Sequence, residues 1–105
     1  MAKEQSDIRE RTRLRHDYPR MYHVIMHNDD FTPMDFVVMV LKTVFHKGDG
    51  EAERLMLDVH QKGQAVVGQY TLDVAVSKSQ KAMRMARDQG FPFKLSWEPN
   101  NELPF

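Results

Sequence analysis

Asn28-Asp29-Asp30 sets an amide and two carboxylates on consecutive residues, and His60 adds an imidazole further along the chain. Met34 opens an apolar series just after the acidic group. Acidic and amide oxygens beside an apolar hollow suit a cationic head carried on an apolar side chain. The free N-terminus of a polypeptide is such an object. Its ammonium offers three donors and a positive charge, whereas an internal amide offers one donor and no charge. Oxygens of Asn28 and Asp29 and one ring nitrogen of His60 supply the acceptors. A charge-assisted hydrogen bond contributes roughly 1.5–3 kcal/mol, and burial of a Leu or Phe side chain a similar amount, about 1.5–3 kcal/mol. After the cost of immobilising a peptide, this leaves affinity on the order of micromolar, about −8 kcal/mol. Plainer readings stand beside this one. The Asn-Asp-Asp group also suits a strand-to-helix turn, with Asp30 favouring the positive helix end. His60 also suits a helix C-terminus, and Met34, Met56 and Val59 suit a core. Composition alone does not choose between them.

Other chemistries find less support. His27, Asp29, Asp30 and His60 are of metal-ligating type, but no HExxH or comparable spacing fixes two of them on one helical face. No activated nucleophile is evident. The chain has no cysteine, which excludes disulfides and thiolate-held metals. Fifteen basic and fifteen acidic residues cancel, so nothing pulls the whole chain toward nucleic acid or membrane. No apolar run approaches the roughly 18 residues of a membrane span, and the charged N-terminus lacks the apolar core of a secretory signal. No metal, cofactor, nucleic acid or membrane is expected, and a monomer in the cytoplasm is.

The 105 residues allow one domain with a modest core. Residues 1–19 hold few apolar groups (Ala2, Ile8, Leu14) among Arg9, Arg11, Arg13 and Arg15. That is too little to offset the entropy of ordering, which predicts a flexible N-terminal extension followed by a domain over 20–105. Tyr22–His27 alternates as a strand, with Tyr22, Val24 and Met26 on one face. Thr32-Pro33-Met34-Asp35 predicts a helix start: Thr32 as N-cap, Pro33 first in the helix, Asp35 returning the cap bond, and a Phe31–Phe36 staple. That helix is expected to reach about Lys47, with Gly48 just past it. It carries two apolar stripes and so calls for two surfaces to bury against. Asp49-Gly50 opens a second helix ending at Gly63, with Ala52, Leu55, Met56 and Val59 inward. Residues 65–70 form a short strand. Thr71 caps a third helix that buries Leu72, Ala75, Val76, Ala82, Met83 and Ala86 and ends at Gly90. Phe93–Glu98 alternates as a last strand. The order β-α-α-β-α-β gives an α+β fold, a three-stranded antiparallel sheet packed with three helices.

The run Asn28-Asp29-Asp30-Phe31-Thr32-Pro33-Met34-Asp35-Phe36-Val37 resembles the ClpS family, bacterial adaptors of N-degron proteolysis. The likeness continues through Leu55-Met56-Leu57, Val59-His60, Gly63, Gly68, Lys78 and Ala86-Arg87, and covers nearly all of residues 21–98. The resemblance implies no catalysis. It implies an adaptor that binds the free N-terminal residue (Leu, Phe, Trp or Tyr) of N-degron proteins and peptides and delivers them to a Clp AAA+ unfoldase and its protease. Asn28, Asp29 and His60, with Asp30 and Thr32 alongside, match the family's amine-binding set. Met34, Val37, Met56, Val59 and Phe93 match its side-chain pocket, where Met56 is implied to bar β-branched residues. Asp73 and Lys78 match the surface that meets the N-terminal domain of the Clp ATPase. A purely structural interaction domain remains the rival, since the fold also resembles the C-terminal domain of the ribosomal stalk protein, and shape alone does not establish ligand capture.

Overall fold

A computed structural model describes residues 20–101. The expected extension over 1–19 and the C-terminal Leu103-Pro104-Phe105 lie outside the described residues. The elements are β1 (Met21–His27), α1 (Met34–Thr43), α2 (Asp49–Lys62), β2 (Gln64–Thr71), α3 (Leu72–Asp88) and β3 (Lys94–Pro99). β1 lies at the centre of an antiparallel sheet in the order β2-β1-β3. This is the expected β-α-α-β-α-β arrangement of three strands and three helices. Among the described residues, no helix is long and apolar enough to cross a membrane.

Strand alternation sends Val24 and Met26 of β1 into the core, both 0% exposed, with Val67 of β2 and Leu95 of β3 beside them. Val40 and Leu41 of α1 and Ala52 and Val59 of α2 pack there too. α3 faces the sheet with Ala75, Ala82 and Ala86, whose small side chains allow close approach. Ser79, skipped by the apolar pattern, lies fully buried in the same row. Leu72 was expected in that row but is 45% exposed, because it stands at the first turn of α3, beyond the sheet. Thr71 occupies the N-cap position of α3, yet its hydroxyl donates to the Asp73 carboxylate at 2.9 Å and caps no backbone N–H.

The start and end of α1 both depart from expectation. Its N-cap residue is Pro33, with no side-chain cap bond, so Thr32 and Asp35 form no capping box. Phe31 is 76% exposed and staples nothing to Phe36. The helix stops at Thr43 instead of reaching Lys47. There the Val40 carbonyl accepts from both Val44 and Phe45, and the Lys47 N–H reaches back to Leu41 at 2.9 Å. The left-handed residue that turns the chain is His46, at φ 58°, and Gly48 instead precedes α2 in extended backbone. Lys42 and Asp49 bridge the connection with an ion pair at 2.8 Å. α2 closes as expected on Gly63, at φ 88°, a conformation that disfavours any residue with a Cβ.

Candidate functional site

Two neighbouring stretches of chain build the site. β1 ends at His27, and the next N–H, that of Asn28, donates to the Gly63 carbonyl at 2.9 Å. This bond ties the acidic turn to the C-terminal end of α2, where Met56, Val59 and His60 share a helical face. The left-handed Gly63 aims its carbonyl so that the tie forms. From the other side, the first turns of α1 supply Met34 and Val37, three residues apart and on one flank.

Asp29 organises the turn. Its Oδ1 accepts the Phe31 N–H at 2.8 Å and the Thr32 N–H at 2.7 Å. Its Oδ2 accepts the Thr32 hydroxyl at 2.7 Å. The Thr32 hydroxyl thus donates backward into the Asx turn, and no side chain caps the start of α1. A carboxylate has about four acceptor sites, and these bonds leave about one for a ligand. Burial works to raise the Asp29 pKa, but the hydrogen bonds from the Thr32 hydroxyl, the Thr32 N–H and the Phe31 N–H outweigh it, so the carboxyl lies below its ordinary range. The group is therefore held ionised and aimed.

Between these elements lies a hollow of about 170 Å³. Its polar wall is Asn28, Asp29, Asp30, Thr32 and His60, and its apolar wall is Met34, Val37, Met56 and Val59. Val37 and Val59 are buried at the floor, Met56 is half-buried, and Met34, Asn28, Asp30 and His60 are exposed around the mouth. Of the pocket residues expected from the sequence, Phe93 stands apart. It is 5% exposed, packs edge-on against Phe36 at 5.8 Å between ring centroids, and does not line the hollow.

Asp73 and Lys78 lie on α3, away from this hollow. Asp73 is exposed, whereas the Lys78 ammonium donates to the Val44 carbonyl at 2.8 Å and sits 5.7 Å from the Tyr70 ring centroid. The metal-type side chains do not gather. His27 turns its Nε2 to the Ser96 hydroxyl at 2.7 Å, and among the described residues no group of three or more His, Asp or Glu is set to hold a metal ion. Sequence reasoning missed the Gly63 carbonyl as a tether, and it read Asn28-Asp29-Asp30 as a turn without singling out Asp29 as its organiser. The second was signalled by the Asp two residues ahead of Phe31, the spacing of an Asx turn.

A small α+β domain with a polar-rimmed hollow for one side chain is a binding module. The family model for the ATP-dependent Clp protease adaptor protein ClpS matches residues 17–96. The ATP-dependent Clp protease adapter protein ClpS of Syntrophus aciditrophicus is 52% identical over 80 residues, 76% of this chain and 75% of that protein. That of Acetivibrio thermocellus is 48% identical over 96 residues, 91% of this chain and 97% of its own length. Agrobacterium tumefaciens ClpS2, solved bound to L-phenylalaninamide, superposes with a TM-score of 0.76 at 38% identity, covering 78% of this chain and 99% of that one. The chain belongs to the ClpS family of ATP-dependent Clp protease adaptors.

Proposed function

We propose that the chain captures proteins by their free α-amino group and their first side chain, when that is Leu, Phe, Trp or Tyr, and delivers them to the N-terminal domain of a Clp ATPase. It acts as a monomer in the cytoplasm and does no bond-breaking of its own. The observation that carries the reading is an ionised, oriented Asp29 with acceptor capacity to spare, at the mouth of a hollow for one side chain. The volume, about 170 Å³, is close to that of cavities that hold benzene, about 150 Å³. A phenyl or isobutyl group fits where a second ring does not, so Trp demands that the mobile Met34 and Met56 side chains yield. Asn28 and His60 complete the acceptors around the ammonium, and Asp30 adds charge at the rim. The phenylalaninamide bound by the Agrobacterium relative is itself a free amine bearing one aromatic side chain.

For delivery, Asp73 offers an exposed carboxylate between the exposed apolar Leu72 and Val74, a small mixed patch suited to a partner domain. Lys78 stands five residues further along the same helix. The decisive experiment titrates a short peptide beginning with Leu against its N-acetylated twin. The free peptide binds at micromolar concentration and the acetylated one does not. Equal affinity for the two would end the ammonium reading.

A further inference from the structure

The three helices pack on the face of the sheet that carries Val24 and Met26. Strand alternation turns His23, Ile25 and His27 of β1 to the opposite, outer face. The register sets Val66 of β2 and Ser96 of β3 on either side of Ile25 there. Ile25 is 7% exposed, closed in by these neighbours and outside the core cluster, whereas Val66 is 48% exposed. Among the described residues, no helix covers this face. It presents a small apolar centre framed by the exposed Gln64, Gln69, Lys94 and Glu98.

At the Met21 end of the sheet the chain is tied to that same face. The Asn100 N–H donates to the Met21 carbonyl at 2.8 Å, which extends β3 by one more pairing. The Asn100 side chain then donates from Nδ2 to Gln69 Oε1 at 2.9 Å. Asn100 follows β3 on one side of β1 and Gln69 belongs to β2 on the other, so this bond spans the central strand across the outer face. Asn100-Asn101 favours a turn. Glu102-Leu103-Pro104-Phe105 comes next, with two large apolar residues in four. Pro104 biases Leu103 toward extended backbone and withholds a donor, which suits a segment lying on a sheet without joining its ladder. Four residues at about 3.3–3.6 Å each span about 13–14 Å. The rise from Met21 to Ile25, at about 3.4 Å per residue, is about 14 Å. Residues 1–19 suit the patch less well, since Ile8 and Leu14 are spread among four arginines.

We propose that Leu103-Pro104-Phe105 folds back over the outer face of the sheet, with Phe105 on Val66 and Ile25 and Leu103 above His23. The apolar centre is then covered by a segment of this same chain and takes no second protein. His23 keeps a buried ring nitrogen, Nδ1, without a hydrogen-bond partner among the described residues, and the backbone of the returning segment brings one. The docking stands independently of the N-terminal reading above.

The test is methyl NMR on the full chain. The ring current of Phe105 displaces the Val66 and Ile25 methyl resonances, and nuclear Overhauser contacts join those methyls to the Phe105 ring. Phe105→Ser abolishes the contacts and moves both resonances to the positions they hold in a chain lacking residues 102–105. The methyls of Val40 and Leu41, in the core on the other face, stay in place and report an intact fold. Val66 and Ile25 resonances that ignore Phe105→Ser, with no contact to its ring, overturn the proposal. Contacts from Val66 to residues 1–19 overturn it too and give the face to that segment. Resonances that move with protein concentration overturn it in favour of a second copy of the chain.

Discussion

Asp29 and Lys78 are both charged groups that the resemblance assigns to contacts with other proteins, and the fold treats them in opposite ways. Three donors converge on Asp29 from residues two and three positions away, so the carboxylate is fixed by its own turn and nothing distant depends on it. Lys78 reaches 34 positions back in sequence and donates to the Val44 carbonyl, just where α1 runs out of helical partners. One charge is displayed by local bonds; the other is drawn into the joint between two helices. The proposed recognition at the acidic turn is therefore separable from stability, whereas any role of Lys78 toward a partner is entangled with it.

The largest effect that sharpens this contrast comes from Asp29→Ala. It removes the charged acceptor and releases Phe31 and Thr32 from their positions. Loss of charge-assisted bonding worth about 3 kcal/mol weakens leucinamide binding on the order of a hundredfold. The unfolding midpoint moves little, because the bonds lost are local and partly exposed. Calorimetric titration and thermal melting of the same variant read both quantities. Binding retained within threefold would break the contrast at its stronger end.

Lys78→Ala is the reciprocal case. The Val44 carbonyl belongs to a residue only 3% exposed, and losing a charged donor there costs about 1.5–3 kcal/mol of stability. Urea unfolding registers that loss while leucinamide affinity stays put. A variant as stable as the parent would return Lys78 to the surface and make it a simple contact residue.

These residues also mark what was legible in the sequence. Strand and helix identities followed from local periods, since the apolar rows of β1 and α3 repeat at two and near four residues. The boundaries of α1 did not follow, because each is decided by something the local pattern omits. At its start, Asp29 folds Phe31 and Thr32 into its own turn, and the helix opens after Pro33 instead of after Thr32. At its end, the left-handed residue is His46, supported by a lysine from another helix holding Val44. Nine of the ten residues expected around the ligand do line one hollow, since strand end and helix end had to meet for either to matter. Phe93 was assigned to the pocket by the resemblance alone; its ring packs on Phe36 and does not line the hollow. Met56 is a half-buried wall of the hollow, so its truncation enlarges the hollow toward its side. Met56→Ala thus admits peptides beginning with Val or Ile with a gain of about tenfold relative to Leu, equivalent to about 1.4 kcal/mol. Selectivity unchanged by this substitution would assign Met56 to the core and not to the filter.

The smallest effect probes how Asp29 is held. Its folded pKa is depressed, so its ionisation adds stability above the pH where an unconstrained Asp titrates, about 3.9, and that stability is lost as pH falls through the lower folded value. Thr32→Val removes the hydroxyl bond to Oδ2 and leaves both backbone donors on Oδ1. Burial, which opposes ionisation, is then less fully offset, so the Asp29 midpoint rises toward the ordinary range. Carboxyl-carbon NMR titration of the parent and the variant follows this one group directly. An identical midpoint in the two proteins would mean that the backbone N–H groups alone orient Asp29, and that the local hold on this charge is simpler than its three bonds suggest.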